Sequence, residues 1–128
     1  MTETYIIELC RNGKWDELKE ASENGFDLNR ADSNGMTPLM YAAWKSNDAE
    51  LVKILLENGA EIDAESTNGM TALMFAAWRC SNPELIKTLI RNGADINAKD
   101  RNGMTPIMYA SGDSSKDEII RILLEARK

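Results

Sequence analysis

Apolar residues recur three and four positions apart in three stretches: Leu51, Val52, Ile54, Leu55 and Leu56; Leu85, Ile86, Leu89 and Ile90; Ile119, Ile120, Ile122, Leu123 and Leu124. That spacing predicts three helices, each with one buried face. Each stretch carries a start signal. Asp48 precedes the first as an N-cap. Asn82 caps the second, with Pro83 in its first position. Ser115-Lys116-Asp117-Glu118 has the spacing of a capping box before the third. Stop signals follow the same logic. Asn24-Gly25, Asn58-Gly59 and Asn92-Gly93 place glycine where a helix closes in the left-handed conformation.

A shorter helix is predicted ahead of each long one. Thr37 caps residues 39–44 with Pro38 at the first helical position, Thr105-Pro106 repeats this, and Thr71-Ala72 keeps the cap without the proline. The paired Ala42 and Ala43 suit close approach between helices. The opening Asn34-Gly35-Met36-Thr37-Pro38-Leu39-Met40 returns at Asn68 and again at Asn102, each copy 34 residues after the last. A fixed period of this size means stacked units that present an extended surface to partners. Extended stretches at 60–64 and 94–98 lead into the next Asn-Gly, a strong hairpin signal. Each unit therefore reads as hairpin, helix, turn, helix.

The run Gly35-x-Thr37-Pro38-Leu39, then Ala42-Ala43, then Leu55-Leu56-Glu57-x-Gly59-Ala60 closely resembles the ankyrin repeat, and Gly93-Ala94-Asp95-Ile96-Asn97-Ala98 is equally close. The resemblance covers nearly the whole chain. It implies an all-α repeat solenoid: one domain over 1–128, with units at about 2–34, 35–68, 69–102 and 103–128 joined by β-hairpin-like loops. The first unit lacks the Thr-Pro-Leu opening but keeps Cys10-Arg11-Asn12-Gly13-Lys14 and Gly25. It has Glu17, Glu20 and Ser22 where the second has Leu51, Ile54 and Leu56, as expected of a polar end cap.

Three departures from the family stand out. The turn between helices is one residue longer, through Lys45-Ser46-Asn47, Arg79-Cys80-Ser81 and Asp113-Ser114-Ser115, which extends the period beyond the family's about 33 residues. The family's histidine is replaced by Met40, Met74 and Met108, which are expected in the core and able only to pack. The last unit keeps Ile119, Ile122, Leu123 and Leu124, so its outer edge is either a simple cap or a docking edge. Arg127 and Lys128 suit a helix C-terminus.

Charge narrows the partners. The chain carries a net −6, and residues 1–34 and 35–68 hold eight and six acids against four and two bases. Nucleic acid is an unfavourable ligand for that half, whereas a basic protein is not; a solvated acidic face is the simpler alternative. No apolar run approaches the roughly 20 residues of a membrane helix, and the N-terminus does not read as a secretory signal. Cys10 and Cys80 fall two units apart, about 20 Å at ordinary helix spacing, and should stay reduced. That fits a cytoplasmic protein.

Catalysis finds little support. With no histidine there is no Ser-His-Asp or Cys-His pairing, and two distant cysteines make no zinc site. No phosphate-cradling loop appears. No cofactor or metal is expected. The resemblance implies a non-catalytic module that binds another protein through its concave face. The positions it assigns to contact are the tips Ser33, Thr67 and Arg101, the exposed residues after glycine Met36, Met70 and Met104, and the helix ends Trp44-Lys45 and Trp78-Arg79. Tryptophan, methionine and arginine are enriched in interfaces. The tryptophans and methionines are equally able to serve as packing. Trp15, at the start of the first unit's second helix, reads as packing. Adaptor, stoichiometric inhibitor or immunity partner of a toxin or enzyme, and structural piece of a larger array all remain open roles for a chain expected to be monomeric.

Overall fold

The computed structural model describes residues 5–127. Eight α-helices follow in pairs: α1 (Tyr5–Arg11) with α2 (Trp15–Glu23), α3 (Pro38–Tyr41) with α4 (Ala49–Glu57), α5 (Ala72–Arg79) with α6 (Pro83–Arg91), and α7 (Pro106–Ser111) with α8 (Asp117–Ala126). First helices pack on first helices and second on second, which gives two layers. Ala42, Ala43, Ala76, Ala77 and Ala110 are fully buried between them. Their lack of side-chain bulk is what lets the first layer close up. Leu51, Leu55, Leu85, Ile86, Leu89 and Leu123 fill the seam from the second layer. Among the described residues no helix is long and apolar enough to cross a membrane.

The caps are mostly as the sequence predicts. The Asp48 carboxylate accepts from the amides of Glu50 and Leu51, Asn82 from Glu84, and the Thr37 and Thr71 hydroxyls from Met40 and Met74. Two expected caps are absent. Thr105 makes no cap bond, and its Oγ1 is buried without a partner. The two threonine caps that do form are already long at 3.4 Å, so the third is a small departure from them. The Ser115 capping box also fails. Asp113 accepts from the Ser115 amide instead, a 3-10 turn spans Ser114–Lys116, and α8 begins only at Asp117.

Lys116 stands in the register of Asp48 and Asn82, but reaches the other way. Its buried ammonium donates to the carbonyls of Ala77 (2.9 Å) and Cys80 (3.0 Å) at the end of α5. Those are last-turn carbonyls with no intrahelical donor. The lysine is thus a C-cap supplied by the next unit.

The extra residue between the paired helices is absorbed in three ways. After α3 the chain widens into a π turn over Ala42–Ser46 and leaves through Asn47 in the left-handed region, at φ 55°. After α5 it becomes extended Cys80, and after α7 it passes through Gly112, extended Asp113 and the 3-10 turn. Asn47 ties this edge to the next unit. Its side-chain oxygen accepts from the Ser81 amide and the Cys80 thiol, and its carbonyl accepts from the Asn82 side chain.

The hairpin tips keep one geometry throughout. The Asp32 amide donates to Met36 O and the Gly35 amide to Asp32 O, and the pattern recurs at Ser66 and Asp100. The positive φ falls on Gly35, Gly69 and Gly103, while Asn34, Asn68 and Asn102 stay at negative φ. These are therefore three-residue loops closed by a left-handed glycine, not the two-residue Asn-Gly turn, which needs positive φ at both residues. Successive tips are laddered: the Thr67 amide donates to Asn34 O and the Arg101 amide to Asn68 O, both at 3.0 Å.

Three further expectations need correction. Met40 does more than pack, since its sulfur accepts from the Thr37 amide at 3.4 Å, a weak bond. Met108 is 49% exposed and outside the core, because among the described residues no further unit packs against that side of α7. Ser22 is buried, its hydroxyl satisfied by Leu18 O at 2.7 Å, so of the three polar positions expected to cap the stack Glu17 and Glu20 are exposed and Ser22 is not. At the opposite end Ile119 and Leu123 are buried in their own unit, and the exposed apolar residues are Leu124 and Met108. Trp15 is partly buried against the core, as expected. Cys10 and Cys80 are free and buried, and burial pushes the Cys10 thiol up to about 12 and the Cys80 thiol upward. Neither is a reactive thiolate at neutral pH.

Candidate functional site

A groove of about 620 Å³ runs between the hairpin tips and the first helices. Its apolar floor comes from Met36, Met70, Tyr41, Trp44, Phe75 and Trp78. Asn34, Ser66, Thr67 and Asn68 line its tip side, and Arg11 and Lys45 stand at its rim.

The rings are placed by the repeat itself. Tyr41 and Trp44 sit three residues apart, as do Phe75 and Trp78, and so share one face of their helix. Trp44 lies 6.2 Å from Tyr41 within its unit and 5.8 Å from Phe75 of the next. Trp78 lies 6.0 Å from Tyr109 of the following unit. Each tryptophan thus bridges to the neighbouring unit's ring, and the series stops where Gly112 takes the place of a third. The base after each tryptophan folds back over it: Lys45 Nζ and Arg79 Cζ lie 4.5 Å from their indole centroids.

A carboxylate network supports the floor from behind. Asp32 Oδ1 accepts from the Asn34 and Met36 amides, and Oδ2 accepts from the Tyr41 hydroxyl (2.5 Å) and, more distantly, from Arg11 (3.4 Å). Asp100 repeats this with the amides of Asn102 and Met104 and the Tyr109 hydroxyl. The middle unit changes both partners together: Ser66 replaces the aspartate and Phe75 the tyrosine, and the Ser66 hydroxyl accepts from the Met70 amide alone. Burial pushes the Asp100 carboxyl up, but the Tyr109 hydroxyl and two backbone amides outweigh it, so it titrates below its ordinary 3.8. Burial and the adjacent Asp100 push the Tyr109 phenol up to about 12.

The linkage has a definite sign. Stabilisation by the Asp100 carboxylate is full above pH 3.8 and is lost as pH falls through the lower folded value. The Tyr109 phenol contributes below pH 10.0, and its contribution is lost as pH rises through about 12. Tyr109→Phe or Asp100→Ser alone should destabilise the chain by about 1–2 kcal/mol, since each strands a polar partner. The double substitution rebuilds the Ser66–Phe75 pair and should lose about 1 kcal/mol less than the two single losses combined. Urea unfolding of the four proteins checks this; additive losses would show that the pairs are not coupled.

Of the residues the sequence singled out, the groove gathers Met36, Trp44, Lys45, Thr67, Met70 and Trp78. Arg79 instead borders a separate depression near Lys116. Ser33, Arg101 and Met104 lie outside the groove's lining. The expected exposure after glycine is wrong for two methionines: Met36 and Met70 are 7% and 8% exposed, because the laddered next tip covers them. Met104, with no next tip, is only half-buried. Arg11, Tyr41 and Phe75 were missed. The three-residue spacing to each tryptophan would have found the two rings, whereas Arg11 comes from the first unit's turn and only the fold brings it near.

Among the described residues no group of three or more Cys, Asp or Glu is placed to hold a metal. No curated protein matches the chain by sequence. A family model described as ankyrin repeats (3 copies) matches residues 2–66 and 45–128. The paired helices, laddered tips and 34-residue period agree with that match. The chain belongs to the ankyrin repeat family, whose members are in general protein-interaction modules.

Proposed function

We propose that the chain is a non-catalytic docking platform that seats a partner protein in the groove on its concave face. The observation that carries this reading is the ring-floored groove itself. An apolar floor edged by amide, hydroxyl and cationic groups has the composition of an interface core with a polar rim. The residues a partner would reach are Trp44, Trp78, Lys45, Thr67 and Arg11, over a largely buried floor of Met36, Met70, Tyr41 and Phe75. Laddered tips and stacked helices hold these groups in place, so little ordering is needed on association.

Trp44 is packed between two rings, and its removal would disturb the stack. Trp78 is 41% exposed and is the better probe. Trp78→Ala is expected to cost about 1 kcal/mol of stability through the lost Tyr109 contact, leaving the chain folded, and to weaken partner binding by about 2 kcal/mol or more, as for a central interface tryptophan. Affinity capture from lysate of the source cell with both proteins checks this. A partner retained equally by the folded variant would remove the groove reading.

A further inference from the structure

Resting on that groove reading, we infer that the occupant is an extended acidic segment of another protein: a large apolar side chain flanked by Asp or Glu. The chain carries a net −6, yet the groove lining contains Arg11 and Lys45 and no carboxylate. Acids gather elsewhere. Glu50, Glu57 and Glu84 line a depression on the second helices, and Glu17 and Glu20 another at the first unit. Asp32, which bonds the lining residues Tyr41 and Arg11, has a 4% exposed side chain, and its oxygens also accept from two amides. What a ligand meets is therefore a cationic rim over an apolar floor.

The cations are positioned for this. Lys45 Nζ is held 4.5 Å from the Trp44 ring centroid, and both residues line the groove, so a three-donor cation stands beside the apolar floor. Arg11 has a 52% exposed side chain, and although it interacts with Tyr41 and reaches Asp32 at a long 3.4 Å, its exposed guanidinium face can meet a second carboxylate. A cationic ligand group would meet Lys45 already seated on the indole and be repelled. Between the two cations, the side chains of Asn34, Thr67 and Asn68 offer donors and acceptors to a peptide backbone. Complementary charge of this kind sets partner choice and association rate.

This inverts the simplest reading of composition, in which an acidic chain seeks a basic partner.

The test is selection of a random displayed peptide library on the full chain, followed by affinity measurement of the selected peptides against Trp78→Ala and Arg11→Glu/Lys45→Glu. The expected result is enrichment of an apolar residue flanked by acids. Affinity should fall roughly tenfold in the charge-reversed protein and recover when the flanking acids are changed to lysine. Selected peptides with basic or uncharged flanks that still depend on Trp78 would overturn the acidic preference and leave the groove reading standing. Peptides indifferent to Trp78→Ala would overturn both. No enrichment, or an oligo-thymidine strand that displaces every peptide, would overturn the inference as well, the latter by making the rings a stacking platform for bases.

Discussion

Gly35→Ala is expected to lower the unfolding free energy by about 3 kcal/mol, far more than the same change at Gly103. Both glycines have a left-handed backbone, at φ +73° and +77°, which disfavours any L side chain by about 1–2 kcal/mol. They differ in what a Cβ would meet. At Gly35 it would lie 2.7 Å from the Thr67 amide nitrogen and 3.1 Å from two backbone carbons of Ser66, whereas at Gly103 it meets nothing within 4 Å. The clash at Gly35 is with backbone that is itself bonded to Asn34 O, so relief requires breaking that rung. Gly69, with the Arg101 amide nitrogen at 3.2 Å, should fall between. Urea midpoints of the three variants give the order directly. Equal losses at Gly35 and Gly103 would mean that close tip approach contributes nothing.

Lys116→Met should cost about 2–3 kcal/mol. Methionine keeps most of the stem but leaves the carbonyls of Ala77 and Cys80 buried without this donor. Part of the loss is offset because the ammonium no longer has to be desolvated, which holds the estimate below the full worth of two charged hydrogen bonds. Burial depresses the Lys116 pKa below its ordinary 10.5. Between the folded value and 10.5 the unfolded chain binds more protons, so the wild type gains stability with rising pH in that window. The variant lacks this gain, and the difference between the two pH profiles isolates the lysine from the tyrosines that titrate nearby. A flat difference would show that the buried contact carries no linkage.

The layers of the stack were legible because they depend on local signals: apolar spacing, caps at Asp48 and Asn82, and glycine at the helix ends. What escaped depends on the neighbouring unit. Met36 and Met70 look exposed in any one repeat and are buried only by the next tip. Met108 looks like core because Met40 and Met74 are, yet α7 is the outermost first helix among the described residues and leaves it uncovered. The Ser115 box had the right letters, but Asp113 lies two residues earlier and takes the amide first. Lys116 was visible as an anomaly in a register otherwise held by Asp48 and Asn82, though its reach to α5 was not. The coupled change from Asp–Tyr to Ser–Phe was fully present in the sequence, nine residues apart in each copy, and shows itself only when repeats are compared column by column.

The two edges of the stack obey different rules. On the tip edge all three loops share the same closing backbone bonds and the two rungs between them are equal in length, so that edge works as a ruler. On the interhelical edge the same extra residue is accommodated as a π turn, as an extended cysteine and as a 3-10 turn. That edge works as slack. The groove meets both borders, since its tip side is set by the ladder while Trp44 and Lys45 lie within the π turn itself. A partner seated in the groove would therefore rest on one border of fixed pitch and on another whose turn differs from unit to unit.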